Sequence, residues 1–411
     1  MKTKLFFSIR DFRQGGVPRC LQSLLQHLDR ERYEVQLFVM HQDGPYRGNM
    51  PNCMVLPEDK MVRSLLTYRA DSSIWDKVLK GVRTIGRKLF KWDLLEWRFR
   101  KIARKVDCDV AIAYTEGFPA QFISYVPSRK KLIWIHNDYK WVRQAGEGTD
   151  FSLFDRIVCV SECTRQSFVE VLPRFAEKTM TLHNVMNLEF IREQAQELIE
   201  DSAFLTDKPV VLSIGRVCYQ KNFVVIPKVA SELAKVMDFR WYILGSGPEA
   251  EVKLVRDEIE KWGVGDKVIL LGPRNNPYKY LARASVFVLT SNYESYPTVI
   301  NEALILNVPV VSNDIPSAYE MLAPGKVSDI ENLADAKILA AGTVAEPLAD
   351  AKMLAGGDEV ERMAEGIVVT QNGLISDIEH MADAIVAAQS LKVDFVDENE
   401  EILKQLADLM M

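Results

Sequence analysis

Short runs of β-branched and aromatic residues alternate along the chain with stretches whose apolar positions recur every three to four residues. The runs KLFFSI, VQLFVM, DVAIAY, KLIWIH, RIVCVS and TMTLHN are each short, apolar and bounded by turn residues, as strands are, and helical patterns separate them, the first from about Pro18. After a charged, helical stretch between Asn187 and Asp207 the pattern begins again with PVVLSIG, RWYILG, KVILLG, VFVLT and VPVVS. Strand and helix in regular alternation build parallel sheets with crossover helices. The expectation is therefore an α/β protein of two Rossmann-like, doubly wound domains facing across a cleft. The expected boundaries are an N-terminal domain over 1–190, a linker over 191–207, a C-terminal domain over 208–390 and a C-terminal helix over 391–411.

Parallel sheets of this kind bind ligands at the carboxyl ends of their strands, so the loops after strands are where chemistry is expected. Four stand out: Arg13-Gln14-Gly15-Gly16 after the first strand, His136-Asn137-Asp138 after KLIWI, Gly215-Arg216 after VVLSI, and Glu294-Ser295-Tyr296-Pro297 after VFVLT.

Pro297 suits the first turn of a helix, and Thr298 to Leu306 are good helical residues. The amides of about Tyr296 to Val299 should then point out of a helix N-terminus, which attracts phosphate. Glu294 precedes that helix and Glu302 lies eight positions further on, so both can face one ligand, accepting hydrogen bonds from sugar and ribose hydroxyls. An arbitrary pair of acids at this spacing would be solvated. What sets this pair apart is the upstream loop LSIGRVCYQKNF, whose Arg216 and Lys221 supply the cations that a diphosphate needs.

The segment from about Val210 to Met321 resembles the donor domain of retaining glycosyltransferases of family 4, which have the GT-B fold. The stretches SIGRVCYQKNF, YILGSGPE, VILLGPRNNPYKYLARASVFVLTS and ESYPTVINEAL carry the likeness, with Glu294 and Glu302 on the two acids of the E-x7-E signature. The N-terminal half matches more loosely through GGVPRCLQSLLQHL, WIHND, IVCVSECTRQSF and TLHN. The resemblance implies that Arg216 and Lys221 hold the donor diphosphate with the amides of Thr298 and Val299. Glu302 would bond the ribose and Glu294 the transferred sugar, with Gly245 and Gly247 lining the donor site. His136 would reach the reacting sugar from the first domain. Gly15 and Gly16 would let backbone approach the phosphates or the acceptor, and Gly272-Pro273-Arg274 would meet the base. It further implies a uridine-diphosphate hexose or N-acetylhexosamine donor, a saccharide or lipid-linked acceptor, retention of configuration, and a role in capsule-like cell-surface polysaccharide synthesis.

His136 ends a strand beside Asn137 and Asp138, where buried packing is not expected, which favours a functional role; His183 in TLHN is a weaker candidate. No metal or other cofactor is expected: cations and a helix end can carry the leaving group's charge. The one Asp-x-Asp pattern, Asp107-Cys108-Asp109, reads as a turn into DVAIAY.

Composition narrows the partners. A net charge of -6 gives no reason to expect nucleic acid, and six cysteines without a CxxC pair suggest neither zinc nor disulfides. No signal peptide or membrane span is expected, so the reading is cytoplasmic, or peripheral on the inner face of a membrane. From Lys77 to Lys105 eleven Lys or Arg stand against Asp93 and Glu96, interleaved with Trp92, Trp97 and Phe99. That segment reads either as a contact for an anionic membrane or as a solvated helix with core-packed aromatics.

After Glu320 the chain departs from the family: LADAK at Leu333 recurs at Leu348, within an Ala- and Gly-rich insertion over about 323–365. The family's long final helix is expected to be short or missing. A nucleotide-sugar epimerase of the same fold and a donor-binding subunit without turnover remain rival readings. A dinucleotide oxidoreductase is disfavoured, because the diglycine loop lacks G-x-G-x-x-G spacing.

Overall fold

In the computed structural model, residues 2–411 are described except 14, 45, 49, 68–72, 142–148, 205, 323–366, 370–372, 377–379, 390, 392 and 394. The chain divides into two compact units, residues 1–186 with 398–411, and residues 187–397.

The first unit runs β1 (Thr3–Asp11), α1 (Gly16–His27), β2 (Tyr33–His41), β3 (Met54–Val55), α2 (Lys60–Leu66), α3 (Ile74–Phe90), α4 (Leu94–Ala103), β4 (Val110–Ala113), α5 (Phe118–Ser124), β5 (Lys130–Ile135), β6 (Arg156–Cys159), α6 (Glu162–Val171) and β7 (Thr179–Thr181). Its strands lie in the order β3-β2-β1-β4-β5-β6-β7, all paired in parallel. Helices cover the sheet, so its strands are apolar without alternation. On one face Phe6, Phe38, Phe99 and Phe122 form the centre of the core, with Phe38 and Phe122 ring centroids 4.6 Å apart.

The second unit runs α7 (Leu188–Ala195), β8 (Val210–Ile214), α8 (Ile226–Leu233), β9 (Arg240–Leu244), α9 (Glu249–Trp262), β10 (Val268–Gly272), α10 (Tyr278–Leu281), β11 (Val286–Leu289), α11 (Thr298–Ile305), β12 (Val310–Asn313), α12 (Pro316–Leu322), β13 (Ile367–Val369), β14 (Gly373–Ser376) and α13 (Met381–Ala388). The sheet order is β10-β9-β8-β11-β12-β14-β13, parallel except for the β13–β14 hairpin. Side chains alternate across it. Trp241 and Ile243 of β9 enter one core layer while Tyr242 and Leu244 enter the other.

All eleven expected strands are present. The short β3, β13 and β14 were not foreseen: two to four residues carry too little pattern to read. Residues 191–207, expected as a linker, belong to the second unit, because α7 packs there. Ile191 is buried, Phe190 meets Tyr278 edge-on at 6.1 Å, and Asp201 pairs with Arg274. The insertion, with both LADAK copies, lies outside the described residues.

The basic segment splits in two. Asp93 caps α4 by accepting from Leu95 N at 2.8 Å, and α4 buries Leu94, Leu95, Phe99 and Ala103 in the core, whereas α3 buries only Gly86. Among the described residues no helix is long and apolar enough to cross a membrane.

The chain ends in α14 (Asn399–Met410), a helix of 12 residues that belongs to the first unit and buries Ile402, Leu406, Leu409 and Met410. The side chain of Asn399 clasps the backbone of Met186, accepting from its N–H at 2.9 Å and donating to its carbonyl at 2.7 Å. His183 Nδ1 lies 2.9 Å from Glu398 Oε2, and this contact holds the Glu398 carboxyl below its usual range against the opposing effect of burial. His183 thus has a structural task. Replacing Asn399 by Ala leaves two backbone groups of Met186 without that partner and should cost about 1–3 kcal/mol, read as a lower urea midpoint. Asn399→Asp should not restore it, since a carboxylate cannot donate to the Met186 carbonyl.

Candidate functional site

In the second unit the strand order reverses between β8 and β11, so the loops following these neighbours diverge and leave a crevice at their carboxyl ends. Lys221, from the loop after β8, meets Glu294, from the loop after β11. Nζ stands 2.6 Å from Oε1, with the side chains only 15% and 10% exposed. Ser291 Oγ donates to Glu294 Oε1 at 2.8 Å and Gln220 Nε2 to Oε2 at 3.2 Å. The two loops are laced together by Asn292 N to Gln220 O at 2.8 Å and by Thr290 Oγ1 to Lys221 O at 2.8 Å.

Local sequence explains how Lys221 gets there. The amides of Lys221 and Asn222 both donate to Cys218 O, at 3.0 and 3.1 Å, and Asn222 takes a left-handed conformation that asparagine tolerates. The lysine stem then runs over Gly215, where an added Cβ would sit 3.0 Å from Lys221 Cε. Arg216 is exposed, and its charge acts on the nearby Tyr293 phenol.

Gly245 and Gly247 are required by the backbone itself. A Cβ on Gly245 would fall 1.7 Å from Gly215 O, and one on Gly247 would fall 1.9 Å from Val217 O. Hydrogen bonds from Gly215 N to Leu244 O and from Val217 N to Ser246 O, both 2.9 Å, draw these loops together, and Gly245 N reaches Gly272 O at 3.0 Å. The loop carrying Arg216 and Lys221 therefore rests on a glycine floor. Pro273 is exposed, while the Arg274 guanidinium is turned to Asp201 and to Leu271 O.

Helix α11 begins at Thr298. Pro297, expected inside its first turn, sits one residue earlier, and no side chain caps the helix. Its N-terminus thus faces the crevice side of the sheet with Thr298 half-buried and Val299 buried. Tyr296 OH accepts from Asn301 Nδ2 at 3.0 Å, and Ser295 is half-buried. Glu302 is interior, 3% exposed, with Tyr278 OH 3.4 Å from its Oε1.

In the first unit the order reverses between β1 and β4. Gly15 and Gly16 open α1 after β1, and a Cβ on either would meet nothing within 4 Å. His136 follows β5. The ring is partly exposed, but its Nε2 is sealed from solvent without a protein partner, and burial pushes the imidazole down to about 4 despite a hydrogen bond to the Tyr114 backbone. The expectation that this position would not pack inward is therefore corrected: the Tyr114 ring lies 5.1 Å away and covers it.

Glu116, after β4, was not singled out. It is 7% exposed, it accepts hydrogen bonds from the backbone of His136 and Asn137, and Asn137 Nδ2 lies 3.3 Å from Oε1. Burial pushes its carboxyl up to about 7, the hydrogen bonds opposing that rise. The available signal was its place: an acid at the carboxyl end of an apolar run beside the switch point. Asp138 instead ties down its own loop, accepting from Lys140 N at 2.9 Å and Ser167 Oγ at 2.6 Å. Asp107 and Asp109 lie at the opposite edge of this sheet, before β4, where Lys4 engages both.

A family model described as glycosyl transferases group 1 matches residues 194–355, and one described as glycosyltransferase family 4 matches residues 14–190. The N-acetylgalactosamine-N,N'-diacetylbacillosaminyl-diphospho-undecaprenol 4-alpha-N-acetylgalactosaminyltransferase of Campylobacter jejuni is 32% identical over 336 residues, covering 78% of this chain and 83% of that protein. The amylovoran biosynthesis glycosyltransferase AmsD of Erwinia amylovora is 28% identical over 310 residues, 73% of this chain and 77% of that one. An uncharacterized glycosyltransferase of Methanocaldococcus jannaschii is 26% identical over 251 residues, 56% of this chain and 61% of its own length. Among solved structures, Anabaena HepE in complex with UDP and glucose superposes with a TM-score of 0.59 at 17% identity, covering 99% of this chain and 100% of HepE.

The two kinds of glycine should separate on substitution. Gly247→Ala forces backbone apart and should cost about 1–3 kcal/mol of stability, whereas Gly16→Ala should stay within about 0.5 kcal/mol of the parent in the same denaturant titration. Glu116 makes a pH prediction. Between pH 4.5, its ordinary value, and about 7 the folded chain keeps a proton that the unfolded chain has released. Folding stability from this group therefore falls as pH rises through that window, by roughly 3 kcal/mol in all. Glu116→Gln should accordingly gain on the parent between pH 5 and pH 8, and a constant difference across that range would contradict the assignment.

Proposed function

The chain belongs to glycosyltransferase family 4 and has the GT-B fold, and from that footing we propose that it transfers a hexose or N-acetylhexosamine, with retention and without a metal, from a uridine-diphosphate donor to a saccharide or lipid-linked saccharide during cell-surface polysaccharide synthesis. The observation that carries this reading is the Lys221–Glu294 pair at the switch point of the second sheet, flanked by exposed Arg216 and by the uncapped start of α11.

Rupture of an anomeric bond to diphosphate builds negative charge on the departing oxygens and positive character on the sugar ring. Lys221, Arg216 and the amides of Thr298 and Val299 are suited to the first, and a fixed carboxylate at Glu294, held by Ser291 and Gln220, to orienting the sugar hydroxyls. In this arrangement donor phosphate competes with Glu294 for Lys221, so binding hands the lysine from carboxylate to diphosphate. Glu302, interior and beside Tyr278, suits the ribose hydroxyls. Half-buried, neutral His136 stands at the carboxyl edge of the first sheet and suits the acceptor side, with Glu116 holding its loop. Asp107 and Asp109, occupied by Lys4 away from these loops, supply no metal ligand pair, in keeping with a metal-free reaction.

The relatives' activities support the acceptor class. The Campylobacter enzyme acts on a diphospho-undecaprenol-linked saccharide and the Erwinia protein serves amylovoran synthesis. HepE was solved with UDP and glucose, which supports the donor class.

Lys221→Ala should weaken UDP binding by about tenfold or more in calorimetry, because an ionic contact to phosphate is worth about 1.5–3 kcal/mol. Glu294→Ala should abolish transfer from labelled UDP-sugar while the thermal midpoint stays close to the parent's. Turnover undiminished in Glu294→Ala, inhibition by chelator, or release of an epimerised sugar with no acceptor product would each overturn the reading.

A further inference from the structure

Helix α3 is built inside out. With 100° between successive residues, Ile74, Val78, Val82, Ile85 and Leu89, at spacings of four, four, three and four, form one stripe. An ordinary surface helix turns such a stripe to the core. Here the stripe faces outward, with Ile74 80% and Leu89 72% exposed, and Trp75 beside it is 75% exposed. The inward side is held mainly by polar ties: Arg83 clasps Asp93 at 2.8 and 3.0 Å, and Lys80 Nζ donates to Thr67 O at 2.5 Å. Leu79 adds an apolar contact to the core, and Gly86 admits the Trp92 ring. Side chains are thus spent on fixing the helix with its apolar stripe away from the protein.

Charge identifies what covers that stripe. Between Ile74 and Lys91 six cations stand against Asp76 alone, in a chain whose net charge is -6. Lys77 and Lys88, both exposed, each follow a stripe residue by three positions and so lie along its rim, with Lys91 exposed at the helix end. A second copy packed stripe to stripe would set these cations against their own kind. A bilayer with anionic headgroups offers apolar depth to the stripe and phosphate to the rim.

The location fits the reaction proposed above. Arg83 lies 5.9 Å over the ring of Phe118, and Arg10, near the end of β1, lies 6.0 Å from the same ring. Phe118 is two residues beyond Glu116, so α3 borders the ligand edge of the first sheet.

We propose that α3 is a membrane-docking helix, lying in the surface of an anionic bilayer with the Ile74–Leu89 stripe among the acyl chains and Lys77, Lys88 and Lys91 at the phosphates, and that it thereby brings a lipid-borne acceptor to the edge carrying Glu116 and His136. The part concerning the acceptor rests on the transferase reading; bilayer binding itself does not.

The test is flotation of the full-length protein with vesicles of phosphatidylcholine alone and of phosphatidylcholine mixed with phosphatidylglycerol. The parent should float with the anionic vesicles, and less so as salt is raised. Ile85→Glu with Leu89→Glu, both exposed positions, should lower vesicle partitioning about tenfold or more while the thermal midpoint and the UDP affinity stay at the parent's values. Lys77→Glu with Lys88→Glu should weaken binding to the anionic vesicles and leave any binding to neutral ones unchanged. A parent that fails to float, or a stripe variant that floats as well as the parent, overturns the proposal. So does a dimer in sedimentation that the stripe substitutions disperse, because the stripe would then be covered by a second copy. Loss of UDP affinity in the parent would count against the transferase reading alone, since flotation is measured without donor.

Discussion

The second unit is organised around one ion pair. Lys221 and Glu294 arise 73 positions apart, on loops that follow neighbouring strands, and they meet at 2.6 Å in a place largely closed to water. Two charges so placed cost desolvation that only close geometry and added hydrogen bonds offset, and here Ser291 and Gln220 supply those bonds. Everything near the pair serves to hold the two loops at this spacing. The glycines at 245 and 247 admit backbone where any Cβ would collide, the lysine stem packs closely over Gly215, and the Asn222 turn aims the lysine. A pair held in this way is poised for exchange, because any anion entering the crevice competes for a cation whose present partner is fixed.

The first unit uses burial where the second uses paired charge. Burial pushes the His136 imidazole down to about 4 and the Glu116 carboxyl up to about 7. The same loop-after-strand logic places both, since β4 and β5 are neighbours and their carboxyl ends deliver Glu116 and His136 to one edge. Tyr139 and Cys159 border Glu116 and lie in the same desolvated region, which raises their own values as well. Backbone hydrogen bonds to Glu116 from His136 and Asn137 tie this carboxyl to the loop that carries the imidazole.

Helix α3 reverses the usual division of labour on a helical surface. Its neighbour α4 has a comparable mix of aromatic and basic residues and buries its apolar side in the core, while α3 turns its own outward. The difference comes from partners: Asp93 takes Arg83 and the Thr67 carbonyl takes Lys80, which holds the helix with its apolar stripe as the free face.

Strand positions, the two-sheet organisation and a helix start beside Pro297 were legible in the sequence, because apolar runs, turn residues and helix starts are local properties. The roles that depend on distance were not. That Glu302 would lie inside, that Arg274 would be committed to Asp201, and that α7 would pack into the second unit follow from contacts between residues far apart along the chain. Glu116 went unread because an acid after a strand has no pattern of its own; only the sheet order, placing β4 beside β5, brings it beneath the His136 loop. His136 misled for the same reason, since its burial comes from Tyr114, the residue just past a neighbouring strand. The sequence by itself determined which elements form and which side chains stand at their carboxyl ends, because local sterics and periodicity decide that. Only the tertiary structure decided which of those side chains lose their water and which charges meet, because desolvation and Coulomb energy depend on neighbours that the chain brings together by folding.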